Sequence, residues 1–231
     1  MKKIIDPSVL GVFALLTAQL LAAGVGLAAE SGVAVVKEPA PAADISADVA
    51  KALSPTGHRI TADGKVVAEV WLTKQWPIKA KFSPSLSVLY PFEPGELIGV
   101  IRYPKRGADF RDQQFKSGVY TLRYGLQPQD GNHVGTSDTR DFLMLLPAKK
   151  DAKPARVASI ESLFGLSTQV SQSTHPAILS MLMVPDEAKS PAVRHIEDRE
   201  FWSVRLTGQG KAGEKTKALP IEFVIIGHGE E

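Results

Sequence analysis

From Val66 onward, apolar and polar residues alternate with a period of two in several separate stretches. Val66, Ala68, Val70 and Leu72 alternate with Val67, Glu69 and Trp71. Tyr120, Leu122 and Tyr124 alternate with Thr121 and Arg123, and Trp202, Val204 and Leu206 with Ser203 and Arg205. Ile221, Phe223 and Ile225 do the same with Glu222 and Val224. Successive side chains of a strand point to opposite faces, so this rhythm predicts half-buried antiparallel strands. Phe142–Leu146 and Ile178–Val184 are almost continuously apolar, as strands covered on both faces are. Leu86–Tyr90, Leu97–Tyr103 and Val193–Ile196 complete the expected set, separated by turn formers such as Pro91-Phe92-Glu93-Pro94-Gly95, Lys105-Arg106-Gly107 and Asp130-Gly131-Asn132. One stretch departs from the period. Ile160, Leu163 and Phe164 follow helical spacing behind Ser159, a good N-cap, so a short helix is expected near residues 158–170. The pattern predicts an all-β protein: an antiparallel β-sandwich or jelly-roll-like domain with one short helix.

The first 55 residues read differently. Lys2 and Lys3 precede an uncharged run from Pro7 to Ala29, and small residues at Gly26 and Ala28 suit cleavage before Ala29. This is the layout of a signal peptide over residues 1–28. An uncleaved anchor is the rival, since a run of about 18 apolar residues can span a bilayer. Polar Thr17 and Gln19 and the small-residue end favour cleavage. Glu30 to Ala43 is Ala-, Val- and Pro-rich without a sustained period. Asp44 to Leu53 has room for two helical turns before Ser54-Pro55-Thr56-Gly57 stops them. Residues 29–55 are therefore expected to be a Pro/Ala-rich linker, and residues 56–231 the β-sandwich domain. The expected location is periplasmic or secreted, with membrane contact only through the signal segment before cleavage.

Composition narrows the chemistry. The 231-residue chain has no cysteine, which excludes disulfides, thiolate metal sites and cysteine nucleophiles. A net charge of +2 gives no nucleic-acid footprint. In Lys116-Ser117-Gly118-Val119-Tyr120, a Gly-x-Tyr leads into a strand, as in the corner tyrosine of sandwiches, whose hydroxyl ties to an upstream backbone group. The run Gly118-Val119-Tyr120-Thr121-Leu122-Arg123-Tyr124-Gly125-Leu126-Gln127-Pro128, then Asp130-Gly131-Asn132-His133-Val134-Gly135, Arg140-Asp141-Phe142-Leu143 and His175-Pro176-Ala177, resembles a family of secreted bacterial β-sandwich proteins with no established activity. The resemblance spans most of residues 56–227. It implies an envelope location in bacteria and supplies no catalytic residue.

Most apparent motifs fail on context. Gly208-x-Gly210-x-x-Gly213 matches the dinucleotide fingerprint, but Leu219-Pro220 and a strand follow where a helix is required, so a hairpin loop is expected. Glu214 stands where a phosphate loop needs lysine. Glu197, Asp198 and Glu200 invite a glycosidase reading but fit a solvated turn. Trp71, Trp76 and Trp202 suggest a sugar platform, yet on alternating strands they fit core or sheet-face positions. His175 with Met181 and Met183 suits copper(I), but methionines inside an apolar strand fit packing better.

The strongest polar cluster is the loop from Asp130 to Asp141. Asp130, Asn132, Asp138 and Asp141 stand at calcium-loop positions 1, 3, 9 and 12, although Val134 occupies position 5 and no helices flank the loop. Calcium is thus the one ion the sequence offers as a cofactor; otherwise none is expected. Loops held on central strands are where binding residues concentrate. His133, Asp138, Arg140, Asp141 and His175 precede the two most apolar strands and are the candidate binding residues, with no catalytic residue assigned. Two functions remain open at this point. The first is an exported, non-enzymatic envelope protein binding a glycan, a protein partner or an ion through its loops. The second is a hydrolase of extracellular or cell-envelope polymer using carboxylates and histidine. The lack of nucleophile and metal motifs favours the first.

Overall fold

The computed structural model describes residues 30–109, 113–128 and 139–227. In chain order these form β1 (Gly32–Val36), α1 (Ala47–Ala52), β2 (Gly57–Ala62), β3 (Lys65–Leu72), β4 (Trp76–Pro77) and β5 (Leu97–Tyr103). There follow β6 (Gly107–Ala108), β7 (Gln114–Phe115), β8 (Gly118–Leu126), β9 (Asp141–Pro147) and α2 (Ile160–Ser171). The chain then forms β10 (Ile178–Leu182), β11 (Ala192–Ile196), β12 (Phe201–Ala212) and β13 (Lys215–Ile226). One sheet runs in the order β1-β2-β3-β5-β8-β9-β10-β13-β12-β11, with β4 added beside β12, while β6 and β7 form a small separate ribbon. Its pairings are antiparallel except β4 with β12. The sheet curls on itself until β1 and β2 pack beside β11. The protein is thus all-β with one short helix besides the single α1 turn, and its core lies between facing parts of one curled sheet.

Alternation sets the inner surface. Val70 and Leu72, Leu122 and Tyr124, Val204 and Leu206, and Ile221, Phe223 and Ile225 all join the main core. β9 is buried on both faces: Leu143 and Leu145 face that core, while Phe142, Met144 and Leu146 pack beneath Leu163 of α2. The helix starts where its cap requires, Ser159 Oγ accepting from the Ser162 N–H at 3.1 Å. Tyr120 is the expected corner tyrosine, its hydroxyl donating to the Lys116 carbonyl at 2.7 Å.

Three stretches differ from expectation. Residues 32–36 pair with β2, and Val36, Ala40, Ile45, Val49 and Leu53 bury against Trp71, Leu97 and Val100, so much of the expected linker is a strap over the outer face of β3 and β5. Prolines interrupt its apolar residues, which follow a surface rather than a helix or strand period. The Trp71 indole N–H anchors the strap by donating to the Glu38 carbonyl at 2.9 Å. Leu86–Tyr90 form no strand: Pro84 and Pro91 flank them, and the Leu89 and Tyr90 N–H groups bond the Asp141 carboxylate instead of a ladder. Finally, the expected hairpin is present, but its strand pairing runs on through Gly208–Ala212 to a two-residue turn at Gly213-Glu214 where a longer loop was expected. Among the described residues no helix is long and apolar enough to cross a membrane.

Candidate functional site

Of the expected site residues, only Arg140, Asp141 and His175 lie among the described residues, and Asp141 and His175 stand apart. His133, Asp138, Asp130 and Asn132 lie outside the described residues. β9 and β10 pair as neighbours, but antiparallel, with Ile178 opposite Met144. Asp141 therefore sits at one end of the pair and His175 beyond the other, at least three residues or roughly 10 Å of strand away. His175 is exposed, and its carbonyl accepts from the Ser173 hydroxyl at 3.0 Å. Arg140 Nε donates to the Gln127 carbonyl at 2.7 Å, and the Arg140 N–H to the Ser87 carbonyl at 2.8 Å. Asp141 is buried. Its carboxylate accepts from the Leu89 and Tyr90 N–H groups at 2.8 and 3.1 Å and from the Tyr124 hydroxyl at 2.7 Å. The residue at position 12 of the would-be calcium loop thus turns into the protein and fastens the 85–90 segment. Burial raises its pKa, opposed by the hydrogen bonds from Tyr124, Leu89 and Tyr90. Among the described residues no group of three or more His, Asp or Glu is arranged to hold a metal.

Other buried charges are equally committed. Glu222 accepts from Arg194, Ser203 and Arg205, each at 2.7–2.8 Å. Asp151 takes a bidentate pair from fully buried Arg123 at 2.7 and 2.8 Å and a hydroxyl bond from Thr121 at 2.6 Å. Arg123 also reaches the Gly95 and Ala155 carbonyls, which fastens the 151–155 segment over β8. Glu69, opposite both Arg59 and Arg102 in the ladder, pairs with each.

A different environment lies at the seam of the curled sheet. β11 pairs with β12 up to Ala192 opposite Arg205, and β4 joins β12 only at Gly210 opposite Trp76. Between them, residues 206–209 of β12 have no strand on that side among the described residues. A cleft of about 250 Å³ opens there, lined by Ser54, Thr56, His58, Lys74, Thr207 and Gln209 together with Leu72, Thr73 and Gly208. His58 pairs with Val70, so its side chain shares the inward face of that residue. Its Nδ1 is buried without a hydrogen-bond partner. Burial lowers the imidazole pKa, favouring the neutral ring. Backbone bonds from Ser54 N to the Leu72 carbonyl and from Lys74 N to the Ala52 carbonyl, at 2.8 and 2.9 Å, fix one wall. The Lys74 ammonium donates to the Lys51 carbonyl at 2.7 Å. On the other wall the Thr207 and Ser190 hydroxyls are 2.8 Å apart.

The glycines of the false nucleotide motif shape this end of the molecule. A Cβ on Gly208 would lie 2.3 Å from the Trp76 ring, so only glycine lets β4 close on β12. One on Gly210 would lie 2.8 Å from Ile78, while Gly213 holds the hairpin turn at φ +58°. Trp76 is fully buried, its indole N–H donating to the Ile98 carbonyl at 2.8 Å. Trp71 and Trp76 are therefore core residues, and half-buried Trp202 stacks on His195 at 4.4 Å. Met181 is likewise core, whereas Met183 is exposed.

Sequence reasoning missed His58, Lys74 and Thr207. The only signal was the polar run Ser54-Pro55-Thr56-Gly57-His58 leading into alternating Ile60 and Ala62, and it resembles any loop. No family model, curated protein or solved structure matches this chain.

Proposed function

We propose that the protein is an exported, non-enzymatic binding domain of the bacterial envelope that holds a glycan-type ligand in the seam cleft. The observation that carries this reading is the cleft's polar lining, in which half-buried His58 stands among hydroxyls, an amide and an ammonium. Polar side chains that line a cleft can hydrogen-bond a ligand that enters it. The polar groups of the walls, beside Leu72 and Gly208, are hydroxyls, an amide and one ammonium, which can hydrogen-bond a hydroxylated ligand. The carboxylates Glu69, Asp151 and Glu222 are held by arginine and do not face the cleft, which favours binding over hydrolysis. Export rests on the signal-like residues 1–28.

The test is ligand-detected NMR of wild type and His58→Ala against neutral sugars, sugar acids and envelope glycan fragments. Binding by wild type that His58→Ala weakens at least about tenfold, the range of one lost polar contact, supports the reading. Binding that His58→Ala leaves untouched, or no binding across the panel, overturns it. Intact-mass analysis of the protein from its native envelope tests export: loss of residues 1–28 is expected, and their retention contradicts it.

A further inference from the structure

A second cleft of about 230 Å³ adjoins the first, and Ser54 and Lys74 line both. Its other walls are Pro39, Ala40, Ala50, Leu53 and Pro55, all apolar. The two lobes thus differ in kind across a shared rim: hydroxyls and an imidazole on one side, proline and alkyl surface on the other. Lys74 is the one charged residue among those lining either lobe, and no acidic residue lines them. Its ammonium is held to the rim by a single hydrogen bond to the Lys51 carbonyl, which leaves two N–H donors of the three.

We infer that the seam selects an anionic ligand whose hydroxylated ring carries both a carboxylate and an acyl substituent, the class of acylated sugar acids. The carboxylate pairs with Lys74 on the shared rim, the ring hydroxyls face Thr56, His58, Thr207 and Gln209, and the acyl group lies on Ala50 and Pro55. The strap explains the second lobe. Residues 39–55 bury one face against Trp71 and β5, and the edge of that same segment supplies the apolar wall beside the sheet. This inference rests on the binding function proposed above and adds the charge and shape of the ligand.

Calorimetric titration with N-acetylmuramic acid and with N-acetylglucosamine separates the two claims, because these probes share a ring and an acetyl group and differ by the lactyl carboxylate. Wild type binds the acid about tenfold or more tightly than the neutral sugar, the difference a charge-assisted hydrogen bond supplies. Lys74→Gln removes that preference by weakening the acid about tenfold more than the neutral sugar, while Ala50→Leu, a good helix former that fills the apolar lobe, weakens the acid about tenfold. Unfolding midpoints confirm that each variant is folded. Equal affinity for both sugars, a preference that survives Lys74→Gln, or no binding of the acid overturns the inference. Binding of both sugars that depends on His58 but not on Lys74 overturns the charge assignment while leaving the binding function standing.

Discussion

On the outer face of β12 and β13, Glu222 is fully buried and is met by two arginines and a serine hydroxyl. At the seam the same β12 presents Thr207 and Gln209 to a cleft where the buried His58 Nδ1 has no partner. Both places gather polar side chains on a β framework, but the first commits its carboxylate within the protein while the second lines a cleft. Buried carboxylates held by arginine and by backbone N–H groups fasten segments to the sheet: Asp151 the 151–155 segment, Asp141 the 85–90 segment. The density of charged residues is therefore a poor guide to function in this fold, and hydrogen-bond satisfaction is a better one.

The largest effect is expected where a committed pair is broken. Arg123→Ala strands buried Asp151 and is expected to cost about 3–5 kcal/mol, read as a lower urea midpoint. Next comes Gly208→Val, whose side chain meets the Trp76 ring; overpacking of this kind costs about 1–3 kcal/mol and pushes β4 from β12. Faster hydrogen exchange at Ile78, whose N–H bonds the Lys211 carbonyl at 3.0 Å, is the accompanying sign. Tyr120→Phe removes only the hydroxyl bond to Lys116 and is expected to cost about 0.5–1.5 kcal/mol. His58→Ala should cost about 1 kcal/mol or less while weakening binding at least about tenfold, since no internal hydrogen bond of its Nδ1 is lost. A His58→Ala protein as damaged as Arg123→Ala would erase the contrast between seam and latch.

The pH dependence separates the two regions by sign. The folded pKa of His58 is lowered, so the unfolded chain binds more protons and stability falls as pH drops through the ordinary histidine value toward the folded one. The folded pKa of Asp141 is raised, so the native state holds its proton more tightly and stability from this group rises as pH falls from its folded value toward the ordinary aspartate value near 3.8. Unfolding midpoints of His58→Ala and wild type are expected to converge as pH falls through the histidine range. Midpoints that diverge there contradict the assignment.

The inner surface was legible in the sequence because burial on one side imposes a period of two, which β3, β8, β12 and β13 obey. Tyr120 and the Ser159 cap were legible because their partners are local, four and three residues away. The strap and β1 were not, since prolines broke any period and burial depends on Trp71, about 30 residues distant. The site misled for a similar reason. Asp141 and His175 stand just before the two most apolar strands, and only the antiparallel register of β9 and β10 shows that this puts them at opposite ends. His58 and Thr207 meet because the sheet curls through ten strands, a closure that local pattern does not encode.

The most direct test follows the imidazole Cε1–Hε1 signals of His58, His175 and His195 while N-acetylmuramic acid is titrated into the wild-type protein. Saturable movement of the His58 signal, with His175 and His195 unchanged, is the predicted result. A moving His175 signal over a static His58 would place the ligand at the loops and contradict the seam as the binding site.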